Sequence, residues 1–161
     1  MSARFIRLSL LTRIIEQADM VIATAVDLLA ESGQPDKCGG YFAAFDIGQG
    51  ALGTLLRFGY SPQDKVDKRI EYAIEKCTRL HGLPQHLTSY ESRSPGKFGG
   101  AVRGNSHIFS FSGLPELWDE AAMFVLAIRR NELDEADVLA RISEERNPHL
   151  RPLLEAVSRT G

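Results

Sequence analysis

Two glycine-turned strand pairs, one on either side of a helix, constrain this chain more than any other feature. The first is YFAAFDIGQGALGTLLRFG, residues 41–59. Phe42, Ala44 and Asp46 alternate with Tyr41, Ala43, Phe45 and Ile47, the period of two expected of a strand. Gly48-Gln49-Gly50 supplies the left-handed backbone of a tight reversal, and Ala51–Phe58 read as the return strand. The second pair is Gly99–Arg103 and His107–Ser112, joined at Gly104-Asn105-Ser106. Between them, Ser61-Pro62-Gln63-Asp64 opens a helix, with Ser61 as its cap and Pro62 in its first turn. Val66, Ile70, Ala73, Ile74, Cys77 and Leu80 form its apolar stripe. Lys65, Lys68, Glu71, Glu75, Lys76 and Arg79 read as its solvated side. It stops near His81-Gly82, before Pro84. Hairpins separated by helices build an antiparallel sheet with helices packed on it, an α+β fold rather than a parallel βαβ stack.

The remaining segments fit that frame. Leu8, Leu11, Ile15, Ala18, Ile22, Ala25 and Leu29 recur at spacings of three and four, and Leu10, Ile14, Val21 and Leu28 widen the stripe. A helix over 8–32 follows, covered on more than one side, by the sheet and by another subunit. Residues 83–98 are the least regular, with a short strand expected at Leu87–Glu91, for about five strands in all. Ser112-Gly113-Leu114-Pro115-Glu116 starts a helix whose interior, Ala121–Ile128, is apolar nearly all round and therefore central. Asp134–Glu145 and Leu150–Val157 read as two surface helices. The expected organisation is one domain over 1–161, with a core over 8–130 and a helical C-terminal extension over 131–161.

Composition excludes several classes. Of 161 residues, 43% are hydrophobic and 25% charged, which rules out a disordered chain. Net charge is −2, so no basic excess exists to neutralise a nucleic-acid backbone. Cys38 and Cys77 form neither a C-x-x-C pair nor a disulfide framework and read as free thiols. The apolar N-terminus is broken by Thr12, Arg13, Glu16, Gln17 and Asp19, a poor signal peptide. No run of 18 apolar residues spans a bilayer. The expectation is a cytoplasmic protein without nucleic-acid or membrane partners.

The order of elements, with particular residues at the joints, resembles the GlcG/HbpS-like family, also called the haem-degrading-domain family. The stretches that carry the likeness are AAFDIGQGALGTLLRFG, IEKCTRL and GGAVRGNSHIFSFSGLPELWDEAA. Within them Asp46, Gly48, Arg57, Lys76, Thr78, Gly99, Gly100, Ser112, Gly113 and Asp119 fall on the family pattern, over roughly residues 8–130. The chain departs from it at Phe58-Gly59, where an acidic residue is usual, at Cys77 within the Lys-Ala-x-Thr-Ala motif, and at Phe111 in place of Val. The resemblance implies a profilin-like sandwich that assembles into homo-oligomers, with haem or a related tetrapyrrole as a ligand of some members. It implies no shared catalytic constellation.

The chemistry-bearing residues are sparse. His81, His86, His107 and His149 show no zinc-ligand spacing. His107 is the candidate axial ligand for haem, and Tyr90 and Tyr41 are weaker ones. The Gly-rich stretch ESRSPGKFGGAVRG is not a P-loop, but Arg93, Lys97 and Arg103 with Gly99 and Gly100 read as a carboxylate-binding loop. Asp46 and Arg57 complete the candidate ligand site. No metal site and no catalytic set is legible, and Ser112 lacks the nucleophile-elbow motif. The reading is a non-enzymatic, oligomeric small-molecule-binding protein. The alternatives are a small enzyme acting on a tetrapyrrole or small acid, which needs a pair such as Asp46 with His107, or a non-catalytic assembly subunit.

Overall fold

A computed structural model describes residues 2–160, with side chains from Leu8 onward. The elements are α1 (Ser2–Glu31), β1 (Gly39–Asp46), β2 (Ala51–Gly59), α2 (Val66–His81), β3 (Ala101–Arg103), β4 (His107–Ser112), α3 (Glu116–Arg129), α4 (Glu135–Arg141) and α5 (Leu150–Thr160). The sheet is antiparallel throughout, in the order β2-β1-β4-β3. The α+β class and both hairpins agree with the sequence. Among the described residues no helix is long and apolar enough to cross a membrane.

The sheet has four strands rather than about five. Leu87–Glu91 does not form the fifth, because its side chains replace the backbone ladder. A 3-10 turn covers Ser89–Ser92, and Thr88 meets Val102 only as an isolated bridge. The Thr88 hydroxyl caps that turn by accepting from the Tyr90 N–H at 3.0 Å, and Ser89 Oγ accepts from the Ala101 N–H at 3.0 Å. In the first hairpin Gly50 takes the left-handed conformation, at φ +63°, and Gly48 does not. Asp46 Oδ1 accepts from the Gln49 N–H at 3.0 Å and stabilises that turn.

Alternation along the strands divides the core into two layers. Phe42, Ala44, Phe109, Phe111 and Val102 face α1, α3 and α5. Ala43, Phe45, Ile108 and Ala101 face Ala73, Cys77 and Leu80 of α2. Helix α3 is the centre of the larger layer, and every residue from Trp118 to Ala127 is buried. Val138, Leu150, Leu153 and Val157 of the C-terminal helices, and Ile142 just after α4, are buried in this same cluster. In α1 the covered line is Ile14, Ala18, Val21, Ile22, Ala25 and Leu29, whereas Leu8 and Leu10 are exposed. Both cysteines are free thiols, and Cys77 is buried in α2, which pushes its thiol up to about 11.

Candidate functional site

Helix α2 lies across the sheet so that one line of its side chains meets the junction between β4 and α3. A cleft of about 500 Å³ opens there. Lys65, Lys68, Arg69, Tyr72 and Lys76 line it from the α2 side. Ser112, Gly113, Leu114, Glu116 and Asp119 line it from the junction, and Lys37 and Phe98 complete the lining together with Asp64. The α2 residues recur at helical spacing and form a single stripe.

The floor of the cleft is an ion pair that the charge pattern does not announce. Lys76 belongs to the charged residues that the sequence assigns to the solvated side of α2, yet it is 2% exposed, and Asp119 is 3% exposed. Lys76 Nζ donates to Asp119 Oδ2 at 3.2 Å and to the Phe111 carbonyl at 2.8 Å. Asp119 Oδ1 accepts from the Leu114 N–H at 2.9 Å, which ties the pair to the turn before α3. Burial pushes the Asp119 carboxyl up to about 6, against the opposing pull of Lys76 and the hydrogen bonds. The signal was present in the spacing. Position 76 stands with 73, 77 and 80 at i, i+3, i+4 and i+7, on the buried arc rather than the wet one.

Gly100 makes room for this pair. Its φ is +122°, and a Cβ there would lie 2.7 Å from Lys76 Nζ and 2.9 Å from Asp119 Cβ. Gly99 lets the chain pass Tyr90, whose Cβ would be 3.1 Å from an added methyl. These glycines were expected to bring backbone amides to a ligand; the space they leave holds protein side chains.

Glu120, the next residue of α3, is fully buried and closed. Arg146 donates to both its oxygens, at 2.8 and 2.7 Å, Asn147 Nδ2 at 2.9 Å and Thr88 Oγ1 at 2.8 Å. Arg146 and Arg93 each place a guanidinium 3.4 Å from the centre of the Tyr90 ring, and so sandwich it from opposite faces. Trp118, two residues before Glu120 on α3, stacks on His149 at 4.3 Å.

The other residues expected at a ligand site are dispersed. Arg93 pairs with Glu116 at 2.9 Å. Lys97 is exposed beside Arg93 in a shallow depression that shares Phe98 and Glu116 with the cleft. Arg103 donates to the carbonyls of Leu80, Leu83 and His86 and so caps the C-terminus of α2. Arg93, Lys97 and Arg103 therefore share no common partner and no single cavity. Arg57 is exposed on the edge strand β2, opposite Tyr41. Asp46 and His107 are cross-strand partners, but they bond elsewhere, Asp46 to its own turn and His107 to Glu132.

His107 stands on the helix-covered face of the sheet and does not line the cleft. Its Nδ1 lies 2.8 Å from Glu132 Oε2, and its ring stacks on Phe109. Burial opposes the charge on Glu132, but the hydrogen bonds from His107 and from the Ser106 and His107 N–H groups outweigh it and hold the carboxyl low. Among the described residues no cluster of His, Cys, Asp and Glu is placed to hold a metal ion. Nor does Ser61 cap its helix: its hydroxyl accepts from Arg69 Nη1 at 2.9 Å, and no side chain caps the start of α2. Arg79, also expected in solvent, donates to the carbonyls of Ser89, Ser92 and Phe98 and fastens the irregular 89–98 segment to α2.

No protein-family model matches the chain. No curated protein matches it either. Among solved structures, the chain is similar to the Klebsiella pneumoniae protein ORFY, described as a DUF336 protein, at 14% identity and a TM-score of 0.43, over 74% of this chain and 90% of that one.

Proposed function

We propose that this protein binds a small acidic molecule in the cleft between α2 and the β4–α3 junction, without transforming it. The observation that carries the proposal is the cleft itself. Its rim is cationic in a chain of net charge −2, its walls include Tyr72, Phe98 and Leu114, and its floor is a buried ion pair held in a glycine-made space. Six residues that carry the resemblance to the GlcG/HbpS-like family meet here: Lys76 and Asp119 form the floor, and Gly99, Gly100, Ser112 and Gly113 lie in the segments beside it. That supports a ligand role over a purely architectural one. An enzyme reading has less support, because the pair it needs, Asp46 and His107, does not line the cleft.

A tetrapyrrole is a large member of this ligand class, with propionates for the lysines and a flat body for the aromatic wall. The test is a titration of the protein with benzoate and phenyl phosphate, followed by amide chemical shifts, and with hemin, followed by its Soret band. Shifts confined to the lining residues, lost in the Lys65→Glu/Lys68→Glu variant, are expected. No shift with any probe at millimolar concentration rejects the cleft as a ligand site, and an unmoved Soret band removes haem.

Self-association belongs to the same proposal. Strand β2 is a sheet edge with Leu52 40% exposed, Tyr60 just beyond it is 65% exposed, and Leu8 of α1 is 62% exposed. Light scattering at tens of micromolar should give a multiple of the chain mass. A clean monomer ends the oligomeric part of the proposal.

A further inference from the structure

The cleft has a direction. From Lys65 to Lys76 the α2 stripe runs eleven residues, about 16 Å at 1.5 Å per residue. Its contents change along that length, and three zones follow in order.

The first zone is at the N-terminus of α2. Lys37, Lys65 and Lys68 line the cleft, and none of them pairs with an acid among the described residues. Arg69 is held by the Gly39 carbonyl and Ser61 Oγ through Nη1, which leaves the rest of its guanidinium uncommitted. A 3-10 turn, Gln63–Lys65, leads directly into α2, and the Lys65 and Val66 N–H groups are taken by the Pro62 and Gln63 carbonyls, so the cationic side chains carry the field here. Asp64 is the opposing charge at this end. In the second zone Tyr72 and Phe98 meet edge to face at 5.3 Å and form an apolar wall. The third zone is the floor. Ser112, a hydroxyl-bearing residue, lines the cleft. Lys76 beside it uses two of its three N–H donors on the protein.

We infer that the ligand is a phosphate ester of a flat ring system. Its phosphoryl group sits on the lysines at the α2 N-terminus, its ring lies against Tyr72 and Phe98, and a hydrogen-bond-accepting edge of the ring meets Ser112 and Lys76. Several point charges on flexible stems suit a dianion that presents oxygens in several directions. Arg69, the arginine of this zone, has Nη1 committed to Gly39 and Ser61, so its fork is only partly open to a planar monocarboxylate. The inference rests on the proposed ligand cleft and narrows its chemistry.

Matched probe pairs that differ only in the phosphate test it: flavin mononucleotide against riboflavin, and AMP against adenosine, with benzoate as the carboxylate control. Dissociation constants are measured by calorimetry and the site located by amide shifts. The phosphorylated member of at least one pair should bind tenfold or more tightly than its partner, with an affinity that falls as salt rises. Lys65→Met/Lys68→Met, at exposed positions, should reduce that ratio to within twofold. Ser112→Ala should weaken both members of the pair by a similar factor of three to ten, with the melting temperature held. Equal binding within both pairs, or a ratio unchanged by the lysine variant, overturns the phosphate assignment. If benzoate then still shifts the cleft residues, the broader ligand proposal survives alone. If neither the pairs nor benzoate perturb the cleft, both fall.

Discussion

Asp119 and Glu120 are neighbours on α3, both carboxylates and both buried, yet one faces a cleft and the other a sealed knot. Glu120 receives four hydrogen bonds from three side chains, among them a bidentate arginine, and nothing more can be added to it. Asp119 has a single cation, one turn amide at 2.9 Å, and a cleft beside it. The same residue chemistry one position apart thus does two jobs. A carboxylate whose hydrogen-bonding capacity is filled by the protein ties segments together, here α3 to the chain leading into α5. One that shares its cation with a cleft keeps charge and polarity at a surface a ligand can reach.

That contrast can be broken at its strongest point first. Glu120→Ala removes the acceptor for Arg146, Asn147 and Thr88 and should cost about 3–5 kcal/mol. Hydrogen exchange in Leu150–Thr160 should accelerate along with global unfolding in urea. A loss below about 1 kcal/mol would show that the knot is dispensable.

The Asp119 side is expected to show a pH signature instead. Its carboxyl should titrate near 6, visible in the carbon chemical shift of the side chain. A folded-state value raised above the unfolded one means that the ionised form is disfavoured by folding. The group's contribution is therefore most favourable below about pH 4 and is lost as pH rises through 6, by about 3 kcal/mol at most. Urea unfolding of the protein and of Asp119→Asn between pH 4.5 and 7 isolates this slope. Lys76→Met should raise the Asp119 titration further, because the cation that opposes burial is gone.

Gly100→Ala probes the room beneath the pair. The added methyl meets Lys76 Nζ at 2.7 Å in a left-handed backbone, so a cost of about 1–3 kcal/mol is expected in thermal unfolding. The smallest effect on stability belongs to Lys68→Met on the rim, within about 0.5 kcal/mol, with the change appearing in ligand affinity alone.

Much of the frame was legible without coordinates. Period-two alternation in 41–47 and the glycine turns at 48–50 and 104–106 marked both hairpins, and the all-round apolar run in α3 marked the central helix. The misses share a cause. Lys76, Arg79, Arg93 and Arg103 were read by charge type, as solvated residues or as a clamp on an anion. In the fold Lys76 is neutralised by an acid 43 positions away. Arg93 is tied to Tyr90 and Glu116, and Arg79 and Arg103 to backbone carbonyls. A long cationic side chain has the reach to find such partners, and nothing local in the chain states which one it takes.

The sequence by itself determined where strands and helices form and which faces they bury, because hydrophobic periodicity and glycine turns act within a few residues of one another. Only the tertiary structure decided which charges went inside. A buried ion depends on a partner distant in sequence, on a glycine that clears space for it, and on the low dielectric that makes the pairing obligatory. Those conditions exist together only once α2, the Gly99-Gly100 turn and the start of α3 have met.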